Sequence, residues 1–328
     1  MENRTNEKAS SLRWKILRQA LLSNPSHATN SVEQSQTSIK RISRRTGHGF
    51  NLIPFHVIDD ERGPNNCTGS SIKDARVCYT LPIPGAPQLF LRKANSVNKN
   101  IDVRQRVDNH ADLSDFQTCN RYNIDNTGLV CNWPSEDVLA HYCVSHRDMF
   151  RSKKVIELGS GYGLAGLVIA AVTEASEVVI SDGNPQVVDY TQRNIEANSR
   201  AFGDTVVKSM MLHWNQEDTS SVADAFDVIV ASDCTFFKDF HRDLAGIVKH
   251  LLSKTESSEA IFLSPKRGNS LDLFLKVAEE HGLHFSVIEN YGKEVWMRHE
   301  GFLNGADRDC WPGYETDHCY PLLIRITL

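Results

Sequence analysis

A doubly wound α/β sheet with a small β-rich appendage in front of it is the fold this sequence predicts, on three observations. From residue 124 onward, apolar runs of strand length alternate with amphipathic runs of helix length, the signature of βαβ units around a parallel sheet. The run Lys153–Leu158 passes at once into Gly159-Ser160-Gly161-Tyr162-Gly163, a strand-to-helix turn whose bare backbone lets a ligand come close. Residues 46–123 read differently, as short β-like runs broken by Pro and Gly.

Taken in order, residues 1–45 carry nine Lys/Arg against three Glu, a balance of +6, so of the net −5 the rest must hold −11. Within them Ser11–Leu22 sets Trp14, Leu17 and Leu21 on one helical face, with Arg13, Lys15, Arg18 and Gln19 mostly elsewhere. Such a basic amphipathic helix suits docking on the core, on a partner or membrane surface, or organellar transit. The Ser/Asn-rich stretch after it reads as a flexible linker. Phe50–Ile58, Ala75–Leu81 and Gln88–Ala94 are expected strands of the appendage, with turns at Gly63-Pro64, Pro82, Pro84-Gly85 and Pro87.

Pro134 opens the first helix of the α/β part, since a first helical position has no use for an amide hydrogen, and Asn132 stands two residues before it. Its buried face is expected to be Val138, Leu139, Tyr142, Cys143 and Met149. Strands follow at Lys153–Leu158, Glu177–Ser181, Val206–Leu212, Phe226–Ser232 and Glu259–Ser264. Helices are expected from the glycine turn through Ala171, then over Pro185–Asn198, Asp239–Leu252 and Ser270–His281. The last runs, His284–Tyr291 and Tyr320–Leu328, lack crossover helices and are expected as a reversed pair, with 292–319 a long irregular excursion.

Composition removes several classes. The chain has 328 residues, 36 Lys+Arg against 41 Asp+Glu, and 40% hydrophobic residues, which is no basic nucleic-acid footprint. No run nears the ~18 apolar residues of a bilayer span, and no secretory h-region opens the chain. The eight Cys therefore read as reduced thiols of the cytoplasm or nucleus. Cys310, His318 and Cys319 lack metal-site spacing, so no metal is expected. One large domain plus appendage, working as a monomer, is the expected organisation.

In a sheet of this kind ligands bind beyond the C-terminal strand ends, at the switch point, which places the site at Glu157–Gly163, Asp182, Trp214 and Ser232–Phe236. The glycines admit two frames. Gly161, Gly163 and Gly166 spell GxGxxG, the dinucleotide fingerprint, which leads to an NAD-dependent oxidoreductase. Glu157 with Gly159, Gly161 and Gly163 instead suits a nucleoside with an amino-acid tail, because a carboxylate there attracts an ammonium and repels phosphates. Asp182 serves either frame by accepting ribose hydroxyls.

Glu157–Gly163 with Asp182 resembles the cofactor motifs of the seven-strand, Rossmann-like class of S-adenosylmethionine-dependent methyltransferases. Ile124–Cys143, Leu212–Trp214, Ala231–Phe237 and Ser264–Leu271, with Arg13–Gln19, resemble more narrowly the protein-lysine methyltransferase family. Its Asp-x-x-Phe/Tyr signature is matched by Asp233 and Phe236, and the Trp133 segment and N-terminal helix are similar to members that act on calmodulin. The resemblance implies a 124–328 methyltransferase domain and a lysine of calmodulin as acceptor. It implies Glu157, Gly159, Gly161 and Gly163 at the methionine end of S-adenosylmethionine and Asp182 at the ribose, with Tyr162 inside the glycine turn a further candidate contact. Trp133, Trp214 and Ser232 would flank the cofactor, and Asp233 and Phe236 would face the lysine. An acidic calmodulin would need positive landing points on a −11 body, for which residues 1–45 and the Lys266-Arg267 pair are candidates. Another protein substrate, the oxidoreductase, and a non-catalytic scaffold are the competing functions.

Overall fold

The computed structural model describes residues 49–58, 75–93, 133–215, 222–305, 307, 310, 311 and 313–328. The expectations for the Ser11–Leu22 helix, the linker, the Gly63-Pro64 turn, Asn132 and the 124–132 part of the Trp133 motif lie outside the described residues.

Three antiparallel strands come first: β1 (Phe55–Ile58), β2 (Ala75–Thr80) and β3 (Gln88–Lys93), in that order across the sheet. Val77 stands opposite Leu91 and Tyr79 opposite Leu89, and all four are buried. The alternation therefore gives one face to the core, as a period of two requires.

Seven strands form the main sheet: β4 (Lys154–Leu158), β5 (Glu177–Asp182), β6 (Val206–Met211), β7 (Val228–Ser232), β8 (Glu259–Ser264), β9 (His284–Ile288) and β10 (Leu322–Thr327), in the spatial order β6-β5-β4-β7-β8-β10-β9. The helices are α1 (Pro134–Ser145), α2 (Leu164–Val172), α3 (Pro185–Asn198), α4 (His241–Leu251), α5 (Ser270–Glu280), α6 (Lys293–Asn304) and α7 (Thr316–Cys319). Strands β4, β7 and β8 read as near-continuous apolar runs because helices cover both faces of a parallel sheet. The winding reverses direction between β4 and β7, which opens the switch-point crevice there. The closing antiparallel pair is present, and the reversal resides in the last strand: β10 runs against both β8 and β9.

Residues 292–319 depart from expectation. They contain α6 and the short α7. Val295, His299 and Phe302, spaced four and three apart, are the buried stripe of α6, and Gly305 at φ +96° ends it in the left-handed conformation. That helical spacing was available in the sequence, but interleaved Arg298, Glu300 and Gly301 obscure it. Phe50 packs edge-on against Phe302 at 5.7 Å and Trp311 at 5.8 Å, so the segment before β1 is clamped to this C-terminal layer. Met149 also differs from expectation, lying after α1 in a 3-10 turn whose fully buried residue is Phe150. Among the described residues no helix is long and apolar enough to cross a membrane.

Two asparagines join the small sheet to the large one. On α3, Asn194 Oδ1 accepts from Arg92 N at 2.6 Å. Asn198 Oδ1 accepts from Phe90 N at 2.7 Å while its Nδ2 donates to Phe90 O at 2.7 Å. The side chains continue the ladder of edge strand β3, where a free edge would leave backbone groups unpaired. Asn198→Ala strands both polar groups of Phe90, and the expected cost is about 2 kcal/mol or more. Urea unfolding measures it, and an unchanged midpoint would refute the role.

Candidate active site

The glycine turn leaves the tip of β4 and is pinned from behind. Glu157 is fully buried; its Oε2 accepts from Gly166 N at 2.8 Å, and its Oε1 has no partner among the described residues. Burial pushes its pKa up to about 8, opposed by the Gly166 hydrogen bond and assisted by Glu136 and Asp182. Glu157, expected at the methionine end of the cofactor, has its carboxylate behind the turn. Its position in the strand turns the side chain toward the α2 layer, so it ties the turn to that helix and does not line the cavity. A Cβ on Gly166 would lie 2.6 Å from Ile180 Cγ1 and 2.7 Å from Glu157 Oε2, so that glycine serves close helix-to-strand packing.

From the front, Asp182 at the end of β5 holds the same turn. Its Oδ2 accepts from Gly161 N at 3.2 Å and its Oδ1 from Asn184 N at 2.9 Å. Gly159, at φ +59°, lies so close under Trp214 and Cys234 that a Cβ would meet Cys234 Sγ at 2.9 Å and Trp214 Cζ2 at 3.3 Å. Gly163 caps α2 at φ +78° and Tyr162 is buried edge-on against Tyr190 at 5.6 Å. Neither is among the residues that line the cavity. The first three residues of the turn, Gly159 to Gly161, line the cavity, while Tyr162 and Gly163 sit against the α2 and α3 layer.

The cavity at the switch point encloses about 1220 Å³, its open mouth included. It brings together Trp133, Gly159, Gly161, Asp182, Trp214, Ser232, Asp233 and Phe236 from the expected set. Sequence reasoning missed Glu136, Ser160, His213, Phe240 and Asp243, which also line it. Glu136 was findable, since it sits in the first turn of α1 next to Trp133. Leu164 N–H donates to it, and burial raises its pKa, yet its Oε1 is unpartnered among the described residues. The buried Ser160 Oγ is unpartnered in the same way. Trp214 packs edge-on against Phe240 at 6.1 Å, closing one wall. Four carboxylates, Glu136, Asp182, Asp233 and Asp243, face the space, and among the described residues no Lys or Arg does.

Asp233 follows β7 in the left-handed region, at φ +57°, with its N–H donating to Leu263 O at 2.9 Å. Its Oδ2 accepts from Arg267 Nη2 at 2.5 Å, and the two side chains are 3% and 6% exposed. Burial raises the Asp233 pKa against the opposing pull of Arg267 and Ser135. The expectation that Lys266 and Arg267 together offer an exposed landing point for an acidic partner holds for Lys266 alone, because the Arg267 side chain is buried against Asp233. The reason is the buried Asp233 carboxylate, brought beside it from the turn after β7, which no local pattern announces.

A family model described as lysine methyltransferase matches residues 119–281. Calmodulin-lysine N-methyltransferase of Arabidopsis thaliana is 58% identical over 323 residues, 98% of each chain. The chain belongs to the lysine methyltransferase family. Protein-lysine N-methyltransferase EEF2KMT of Homo sapiens is 26% identical over 188 residues, 53% of this chain and 56% of that one. Methyltransferase-like protein 22 of Mus musculus is 30% identical over 171 residues, 47% and 43% of the two chains. Both shorter likenesses cover about half of this lysine methyltransferase.

Glu157 gives the enzyme a pH signature. Between its ordinary value of 4.5 and about 8, the folded state keeps a proton that the unfolded chain has lost, so stability falls as pH rises through that window. Glu157→Gln keeps an acceptor for Gly166 and cannot ionise. Denaturation midpoints should converge near pH 5 and favour the variant at pH 8; parallel profiles would place the titration elsewhere.

Proposed function

We propose that this lysine methyltransferase moves methyl groups from S-adenosylmethionine to the side-chain amine of a lysine in calmodulin. The observation that carries the chemistry is the acid-lined cavity at the switch point, with Asp233, Phe236 and Trp133 together in its wall. The near full-length likeness to a calmodulin-directed enzyme supports the substrate.

The residues present fit the cofactor. The unpartnered Glu136 Oε1 and Ser160 Oγ suit the ammonium and carboxylate of an amino-acid tail. The Gly159–Gly161 backbone admits a close approach, Asp182 is placed to accept ribose hydroxyls, and Trp214 offers a flat wall to a base. Ser232, at the tip of β7, completes that lining. A dinucleotide pyrophosphate would meet four carboxylates and, among the described residues, no facing Lys or Arg, a repulsive setting that disfavours the oxidoreductase.

When bound, S-adenosylmethionine supplies an activated methyl group on a sulfonium. The protein then has to align an amine with that methyl, bringing the reacting atoms to roughly 3–3.5 Å. A lysine of ordinary pKa ~10.4 needs about 4.6 kcal/mol to shed its proton at pH 7. Enclosure among Trp133, Phe236 and the strand tips lowers that cost by desolvation. Asp233 attracts and orients the arriving ammonium, so its role is positioning, and Phe236 leaves apolar room for a methylated nitrogen. Residues 124–328 form the catalytic domain and 46–123 an appendage in this proposal, with the +6 segment 1–45 as the landing point for an acidic substrate. The site of action is the cytoplasm or nucleus and the working unit a monomer.

Incubation with S-adenosylmethionine and calmodulin should produce methyl-mass increments on one calmodulin lysine by mass spectrometry; unmodified calmodulin would overturn the substrate assignment. Glu136→Gln removes a charged acceptor worth roughly 1.5–3 kcal/mol, so calorimetry should show about ten- to hundredfold weaker binding of S-adenosylmethionine. Affinity for 5′-methylthioadenosine, which lacks the ammonium, should hold. Equal losses for both ligands would remove Glu136 from the tail site.

A further inference from the structure

The wall that separates the cavity from the surface loop after β8 already holds a cation. Arg267 Cζ lies 4.8 Å from the Trp133 ring centroid and 4.9 Å from that of Phe236. The two rings are 6.2 Å apart at an interplanar angle of 44°, so they form a corner, and Asp233 closes it with the 2.5 Å ion pair. Trp133, Asp233 and Phe236 all face the cavity, whereas Arg267 touches all three and does not. The guanidinium therefore lies within the wall, behind the cavity lining and beneath the exposed turn Lys266–Asn269 that carries it.

A carboxylate flanked by two aromatic faces is what a lysine ammonium would itself seek. Arg267 makes those contacts first, and its side chain is 6% exposed, so the corner has no room for a second cation. We propose that Arg267 plugs the passage by which the substrate lysine enters, and that the lysine takes over Asp233, Trp133 and Phe236 as the guanidinium withdraws. This rests on the lysine methyltransferase function proposed above.

The pair is built to part. Only one oxygen of Asp233 is engaged, since Oδ1 and Arg267 Nε have no partners among the described residues; a two-pronged pair would hold far better. Arg267 is carried on a turn with φ +48°, followed by Gly268 at φ +69°, and its neighbours Lys266, Gly268 and Asn269 are exposed. The turn is fastened to α7: Arg267 N donates to Asp317 O at 2.7 Å and Gly268 N to Asp317 Oδ2 at 2.6 Å. The C-terminal layer thereby sets where the plug stands, while the side chain needs only to swing toward water.

Arg267→Ala tests this in two ways. n-Butylammonium should saturably change the tryptophan fluorescence of the variant and leave the wild type unaffected, with the response lost in Arg267→Ala/Asp233→Ala. Because a site closed most of the time weakens apparent affinity by its open fraction, KM for calmodulin should fall roughly three- to tenfold, with S-adenosylmethionine affinity unchanged. Asp317→Ala, which loosens the turn, should move KM the same way by less. No ammonium binding by the variant, or a fall in kcat with KM unimproved, would overturn the plug and make Arg267 a mere support for Asp233. Ammonium binding by the variant without methylation of calmodulin by either protein would uphold the passage and refute the substrate.

Discussion

Five residues of backbone, Gly159 to Gly163, decide where everything else in the site can stand, and two carboxylates hold them. Glu157 grips Gly166 from behind the turn and Asp182 grips Gly161 from in front. Between them the chain leaves β4 in left-handed conformations at Gly159, Gly161 and Gly163, which L side chains adopt at a cost. Cys234 then closes down on Gly159 at a distance no Cβ would permit, with Trp214 tight beside it. The carboxylate behind the turn is buried and resists ionisation, so the hold is a hydrogen bond within a packed layer more than a charge presented to a ligand.

That division of labour explains the polarity of the cavity. Acidic groups reach it from α1, β5, the turn after β7 and α4, as Glu136, Asp182, Asp233 and Asp243. An environment so negative has little use for phosphates and suits a ligand that brings its own positive charge, which a sulfonium with an ammonium tail does. Among the described residues two buried cations stand behind this lining, Lys93 near Glu136 and Arg267 paired with Asp233. Charge in this enzyme is thus sorted by layer: acid toward the cofactor space, and base behind its wall.

Most of the sheet could be read from periodicity alone. The helix Pro185–Asn198 and strand Glu259–Ser264 have the expected bounds, because Pro at a first helical position and a bounded apolar run are strong local signals. The strand-tip rule brought eight expected residues to one cavity. Glu157, Tyr162 and Gly163 stand outside the lining, because adjacency in sequence to a ligand turn does not say which way each residue faces. The expectation for Arg267 failed because a surface-loop arginine becomes buried only when an acid from the turn after β7 and rings from α1 and that turn meet it. The α6 helix was missed since His299 fills an apolar position there, tilted against Tyr320 with ring centroids 4.1 Å apart.

The sequence by itself determined the fold class, the parallel order of βαβ units and the set of residues able to make a nucleoside site, since these follow from period, turn chemistry and spacing. Tertiary structure alone decided which carboxylate faces the ligand and which lies behind it, and whether a given charge is free. Those outcomes depend on contacts between segments far apart in the chain: Glu136 against α2, Asn198 against β3, Asp233 against Arg267, and Asp317 beneath the turn that carries it. Burial and partner choice are properties of the packed layers, and no window along the chain contains them.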